Sequence, residues 1–167
     1  MAGRNAAESG AHHSVGAGDP APEFALPATG GHTVSLTALR GKPVVVYFYP
    51  KADTPGCTRE ACGFQEALGQ LGGIGVTVIG ISRDGVPALE RFAAKYGLHF
   101  PLASDADIAV AKAYGVWVEK TMYGRTSMGL ERSTFLIDPA GRIARVWRKV
   151  KVDGHAAAVL EAVRALS

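Results

Sequence analysis

Continuous apolar runs alternate along the chain with segments in which apolar residues recur at helical spacing. The runs at 44–49 and 74–82 are rich in β-branched residues, which is typical of strands buried on both faces of a sheet. Helical spacing and start signals predict the helices, and shorter apolar or alternating runs predict the other strands. The predicted helices are 55–72, 87–96, 107–114 and 155–166, and the predicted strands are 32–36, 44–49, 74–82, 100–103, 133–137 and 142–152.

The order of these elements predicts an α/β fold with a mixed central sheet and helices on both faces. A strand–helix–strand beginning predicts parallel pairing. The Asp138–Pro139–Ala140–Gly141 sequence predicts a turn and hence an antiparallel hairpin near the end of the chain. A length of 167 residues fits one domain, which we expect over 18–167.

The first 17 residues are small and polar and predict a mobile N-terminal tail. They have no apolar core of the kind that a secretory signal needs, so we expect a cytoplasmic protein. No apolar run approaches the roughly 18 residues of a membrane span, and no membrane partner is expected.

The net charge of +3 is partly local, because several basic residues crowd 142–151. A basic face is typical of nucleic-acid binding, but charges on an exposed strand also deter edge-to-edge aggregation. The second interpretation is favoured, and no nucleic-acid partner is expected.

The two cysteines, Cys57 and Cys62, are five residues apart. Without an export signal, paired cysteines more often bind metal or carry out redox chemistry than form a structural disulfide. A zinc site needs four ligands, and the histidines show no matching spacing. We therefore expect redox chemistry and no metal.

The residues before Cys57 predict a site for an activated thiol. Thr54 before Pro55 indicates a helix start, which puts Cys57 at the third helical position. Unpaired N–H groups and the helix dipole favour a thiolate there. Gly56 lets a small substrate approach the backbone, and Pro50 ends the strand where it can shield the thiolate from water.

The stretch 48–62, Phe-Tyr-Pro-Lys-Ala-Asp-Thr-Pro-Gly-Cys-Thr-Arg-Glu-Ala-Cys, resembles the active-site segment of peroxiredoxins, and more narrowly of the Q-type, or bacterioferritin comigratory protein, subfamily. The segments 21–24, 114–117 and 132–138 resemble three further family motifs. The resemblance implies a thioredoxin-like fold with an N-terminal extension and peroxidase activity without a metal or organic cofactor. Monomers are common in this subfamily.

The same resemblance implies a role for each matching residue. Cys57 is then the thiol that attacks a hydroperoxide, and Pro50, Thr54 and Arg132 complete its pocket. Cys62 is the resolving thiol, and thioredoxin or a similar dithiol protein is the reductant. From spacing alone, Arg132 could not be chosen over Arg59 or Arg125.

Two questions remain open at this point, namely the use of three apolar side chains and the alternative functions. Trp117, Tyr123 and Met128 are candidates for the apolar wall of a substrate site, although core packing is favoured for each. A dithiol oxidoreductase or redox sensor acting on proteins is one alternative function, and a binding or holdase module with incidental cysteines is another.

Helix geometry makes a further prediction. Cα atoms five residues apart in a helix are separated by roughly 8.6 Å, which exceeds the roughly 7 Å limit for a disulfide. Residues 54–65 are therefore expected to unwind when a Cys57–Cys62 disulfide forms.

Overall fold

The computed structural model describes residues 15–70 and 75–166. The predicted tail lies outside these residues except for 15–17, as do the last two residues of the first predicted helix. Val15 packs against the core, and its carbonyl accepts a hydrogen bond from Arg148. Within the described ranges, every helix is too short or too polar to cross a lipid bilayer.

The centre of the molecule is a seven-stranded mixed sheet. Its strands are β1 (Ala25–Ala28), β2 (His32–Ser35), β3 (Val44–Phe48), β4 (Thr77–Ser82), β5 (Leu102–Ser104), β8 (Ser133–Ile137) and β9 (Ile143–Trp147). They lie in the order β2-β1-β5-β4-β3-β8-β9. The inner strands β3, β4 and β5 are parallel, and β8 runs antiparallel to β3.

Helices cover both faces of this sheet. They are α1 (Pro55–Gln70), α2 (Val86–Tyr96), α3 (Ala109–Ala113) and α4 (His155–Leu166). Buried side chains of α1, α2 and α4 share one core cluster, whereas those of α3 belong to the cluster on the opposite face. The predicted α/β class, with a mixed sheet flanked by helices, is confirmed.

Strand β3 supplies both cores because its side chains alternate between the two faces. Val46 and Phe48 enter the cluster beside α3, whereas Val45 and Tyr47 enter the cluster beneath α1. All five β3 residues are buried, as the continuous apolar run predicts. The strand is thereby fixed on both sides, and its carboxyl end delivers the chain to α1 at a defined place.

A separate two-stranded hairpin, β6 (Trp117–Met122) and β7 (Arg125–Leu130), was missed by the sequence analysis. The predicted core packing of Tyr123 and Met128 was wrong, because their side chains are 95% and 51% exposed. The hairpin leaves the main sheet, so its outer half has no second layer to pack against. Trp117 lies at its base and packs against the core.

The structure also differs from the prediction at strands β1 and β9. The strand β1 was also missed, and β9 is shorter than the predicted 142–152. Lys149 has a left-handed φ of 50°, which is incompatible with extended backbone and turns the chain away from the sheet. β9 forms one edge of the sheet, and of the basic residues within 142–151 only Arg145 lies on this strand.

Candidate active site

The site forms where β3 ends and α1 begins. Pro50 is exposed two residues after the end of this strand. Helix α1 begins at Pro55, so Cys57 occupies the predicted third helical position. The Thr58 amide donates to the Thr54 carbonyl at 2.8 Å, which is the opening helical hydrogen bond. The helix therefore starts where the Thr–Pro signal predicts.

Thr54 occupies the predicted capping position, but its side chain makes a different contact. Its hydroxyl donates to the carbonyl oxygen of Lys51 at 2.8 Å, rather than accepting from an N–H of the first turn. The hydroxyl thus stabilises the loop that precedes the helix. Its remaining lone pairs can still accept a hydrogen bond.

Arg132 lies against the sulfur of Cys57. The Arg132 Nη2 atom is 3.4 Å from the Cys57 Sγ atom, and Cys57 is only 1% exposed. Strand pairing explains this contact, because Phe48 at the end of β3 is opposite Ser133 at the start of β8. Arg132 immediately precedes Ser133, so sheet register carries the guanidinium to the start of α1. A cationic donor at this distance favours the thiolate.

Glu60 binds the other side of the same guanidinium. Its Oε1 atom lies 2.7 Å from Arg132 Nη1, and the Glu60 and Arg132 side chains are 1% and 17% exposed. Residues three apart share a helix face, so Glu60 and Cys57 approach Arg132 from successive turns. Glu60 was not assigned a role from the sequence. The three-residue spacing was the available signal.

Burial raises the pKa of Glu60 from 4.5 to about 7, although the positive charge of Arg132 opposes this shift. The second carboxylate oxygen, Oε2, has no hydrogen-bond partner among the described residues. Both observations reflect the cost of burying a carboxylate without full hydrogen bonding. The charge of Glu60, and hence the field that Arg132 presents to Cys57, therefore changes near neutral pH.

Gly56 allows this arrangement to form. A Cβ atom at residue 56 would lie 3.2 Å from Arg132 Nη2, which is tighter than an ordinary contact. The sequence analysis expected Gly56 to make room for a substrate. The structure adds that Gly56 makes room for the guanidinium.

His155 lies behind the site and was not assigned a role from the sequence. Its Nε2 atom is 2.7 Å from the hydroxyl of Thr134, and its ring packs edge-on against Phe64 of α1. Burial, and to a lesser extent the charge of Arg132, lowers the pKa of His155 to about 4. The imidazole is therefore neutral at neutral pH and holds α4 against the back of the site.

Cys62 lies apart from this cluster. It is exposed and is a free thiol, as is the buried Cys57. Both belong to the continuous helix α1, in which residues five apart point about 140° away from each other. The structure therefore keeps the two sulfurs on different sides of one helix.

Comparison with known proteins identifies the family. The AhpC/TSA family model matches residues 17–146, and the chain belongs to this family. The chain is 48% identical over 144 residues to peroxiredoxin Bcp of Escherichia coli K12, covering 86% of this chain and 92% of the relative.

Solved structures agree with this assignment. Bacterioferritin comigratory protein of Xanthomonas campestris, studied for its alkyl peroxide reduction activity, has 46% identity and a TM-score of 0.81, covering 85% of this chain and 90% of that chain. A cysteine-to-serine mutant of Xylella fastidiosa PrxQ has 43% identity and a TM-score of 0.85, covering 92% and 97%. The predicted resemblance to Q-type peroxiredoxins and the predicted thioredoxin-like fold are confirmed.

Proposed function

We propose that this protein is a thiol peroxidase that reduces hydroperoxides with Cys57. The observation that carries the proposal is the 3.4 Å contact between Arg132 Nη2 and the buried Cys57 Sγ. A thiolate is the reactive form of cysteine, and a neighbouring cation favours it. Family membership supports peroxide as the electrophile.

In the first step, the Cys57 thiolate attacks the terminal oxygen of the hydroperoxide. The S–O bond forms as the O–O bond breaks, and water or an alcohol leaves after taking up a proton. Cys57 becomes a sulfenic acid. Arg132 keeps a donor directed at the reacting atoms, where negative charge moves from sulfur to the leaving oxygen.

The residues around Cys57 are assigned supporting roles. The Thr54 hydroxyl has a free acceptor position for the proton of the hydroperoxide. Gly56 permits close approach of both Arg132 and the substrate to the first turn of α1. Pro50 borders the loop at the end of β3 and limits access of water.

We infer that both hydrogen peroxide and organic hydroperoxides are substrates. The Xanthomonas relative was studied for alkyl peroxide reduction, which supports the organic class. The attacked O–O group is common to both, so one site serves them.

In the second step, the thiol of Cys62 attacks the Cys57 sulfenic acid. A disulfide forms within the chain and water leaves. Because the two cysteines point apart on α1, the helix must open before this bond can form. A dithiol protein, thioredoxin or one like it, then reduces the disulfide by exchange. Every group in this scheme comes from one chain, so a monomer suffices.

The experiment is a coupled assay with thioredoxin, thioredoxin reductase and NADPH. We expect repeated turnover of hydrogen peroxide and of an organic hydroperoxide at protein concentrations far below that of the peroxide. Loss of one equivalent only would favour a redox sensor. No peroxide loss with rapid reduction of protein disulfides would favour a dithiol oxidoreductase, and neither activity would favour a binding module.

A further inference from the structure

Asp53 ties the loop between β3 and α1 to helix α2. Its carboxylate accepts hydrogen bonds from Tyr96 at 2.8 Å and from Lys95 at 3.0 Å. These two donors lower the pKa of Asp53, Tyr96 most strongly, which keeps the carboxylate ionised and able to accept both bonds. The loop is thus joined to an element that is distant in sequence and does not carry a cysteine.

The backbone of Asp53 is left-handed, with a φ of 60°. Few residues other than glycine adopt this conformation, although Asp and Asn tolerate it better than most. A side chain held by two donors compensates for the unfavourable backbone conformation. Asp53 therefore marks a fixed bend in the chain four residues before Cys57.

Further hydrogen bonds hold the loop at the residue before Asp53. The Ala52 amide donates to Asp84 at 2.8 Å, and Asp84 is itself held by the Ser82 hydroxyl at 2.8 Å. On α2, the Tyr96 ring packs edge-on against Phe92, which is buried in the core. The loop is therefore attached to β4 and α2 rather than to α1.

The contacts beyond Thr54 are of a different kind. Cys57 and Glu60 are held by Arg132 alone among the side-chain contacts described above, and disulfide formation must break the contact at Cys57. If α1 unwinds as proposed, these contacts favour a start of unwinding between the loop and the residues held by Arg132, with Asp53 on the side that stays fixed.

We propose that Asp53 is a positioning residue that anchors the loop to α2, so that α1 unwinds only beyond Thr54 and Cys57 returns to the same place beside Arg132. This inference rests on the proposed function. If the anchor is weakened, the open form of the helix gains population at the expense of the closed form. The peroxide step needs Cys57 to be held beside Arg132 and should slow as that placement loosens, whereas disulfide formation needs the open form and should accelerate.

Three variants weaken the contact between Asp53 and α2 to different extents. Asp53→Ala removes both hydrogen bonds and the tolerance for left-handed backbone, whereas Asp53→Asn keeps that tolerance and one acceptor oxygen. Tyr96→Phe removes a single hydroxyl and leaves the loop sequence unchanged, so it tests the anchor if the alanine variant folds poorly. Glu161→Gln is the matched control, because it breaks an exposed ion pair with Arg164 on α4 that does not touch the loop.

Stopped-flow kinetics separates the two steps. For Asp53→Ala, we expect the peroxide step to slow and disulfide formation to accelerate, each on the order of three- to tenfold. Asp53→Asn and Tyr96→Phe should fall between this variant and the wild type, and Glu161→Gln should match the wild type. A purely structural role would lower the melting temperature without opposite changes in the two rates. Unchanged rates, or rates that fall together, would overturn the proposed positioning role of Asp53.

Hydrogen exchange of the reduced protein tests the anchor independently of any peroxidase activity. The Ala52 amide donates to Asp84, and the Thr58 amide donates to the Thr54 carbonyl. Both amides should exchange faster in Asp53→Ala and Tyr96→Phe than in the wild type and Glu161→Gln. Equal exchange in all four proteins would overturn the proposal that Asp53 holds the loop to α2. Failure of the wild type to reduce any hydroperoxide would instead overturn the proposed function, and hydrogen exchange would still test the role of Asp53.

Discussion

The two cysteines of α1, Cys57 and Cys62, lie in opposite surroundings. Cys57 is buried beneath the first turn, in contact with a guanidinium that a buried carboxylate also holds. Cys62, five residues later, is exposed to solvent. The difference teaches that the surroundings of these thiols are set by neighbours from other elements of the fold and not by their spacing.

The contrast also separates two requirements of the proposed cycle. A thiol that attacks peroxide benefits from a closed, cationic site, whereas a thiol that is exchanged with another protein must be accessible. One rigid helix cannot meet both requirements and also bring the sulfurs together. The proposed opening of α1 resolves this conflict, and the following variants test each half of the comparison.

The largest effect is expected from Cys57→Ser. A serine hydroxyl stays protonated where a thiol ionises, so peroxide reduction should fall to background in the thioredoxin-coupled assay. The fold should be retained, because serine is similar in size. Turnover clearly above background would show that Cys57 is not the attacking thiol.

Cys62→Ser makes the same chemical change at the exposed position and is the matched comparison. We expect one equivalent of peroxide to be consumed at the wild-type rate, after which turnover with thioredoxin stops. Intact-mass spectrometry should detect the sulfenic acid at Cys57 and, with excess peroxide, the sulfinic acid. Undiminished turnover with thioredoxin would mean that Cys62 does not resolve the sulfenic acid.

Arg132→Ala should make the surroundings of Cys57 more like those of Cys62. Loss of a charge-assisted hydrogen bond, worth about 1.5–3 kcal/mol, should slow the peroxide step roughly 10- to 100-fold, as measured by stopped flow. Arg59→Ala is the control, because Arg59 lies two residues from Cys57 but pairs with the exposed Asp153. Equal rates for the two variants would remove Arg132 from the site.

Glu60→Gln should have the smallest effect on turnover, because glutamine still offers an acceptor to Arg132. Its main effect concerns stability against pH. The pKa of Glu60 is raised from 4.5 to about 7 on folding, so the folded protein binds more protons than the unfolded chain in this range. The raised pKa therefore lowers the free energy of unfolding as pH increases from about 4.5 to 7, by at most about 3 kcal/mol.

The glutamine variant should lose this dependence and gain stability relative to the wild type above neutral pH. Denaturant unfolding of both proteins on either side of this range measures the effect. A stability difference that does not change with pH would mean that Glu60 is ionised throughout.

Local signals in the sequence were sufficient to place Cys57 at the start of a helix that follows a buried strand. The buried run of β3 and the Thr54–Pro55 helix start were both predicted, because strand burial and helix initiation depend on adjacent residues. The partners of Cys57 were harder to predict. Arg132 lies 75 residues away from Cys57, and only the family resemblance distinguished it from Arg59 and Arg125.

The parts that could not be predicted depend on tertiary context. The hairpin β6–β7 stands away from the sheet, so its outer residues show no burial pattern, and Tyr123 and Met128 were wrongly expected in the core. The raised pKa of Glu60 and the contact of His155 with Thr134 arise from burial between elements. Neither leaves a periodic signal in the sequence.

The most direct test of the account is hydrogen exchange on the fully reduced and the disulfide-oxidised protein, with the oxidation state confirmed by intact mass. Because one regular helix cannot contain the Cys57–Cys62 bond, we predict that residues 54–65 lose amide protection on oxidation while β3, β4 and β8 change little. Equal protection of residues 54–65 in the two states, with the disulfide present, would contradict the central claim that α1 must open for these cysteines to react with each other.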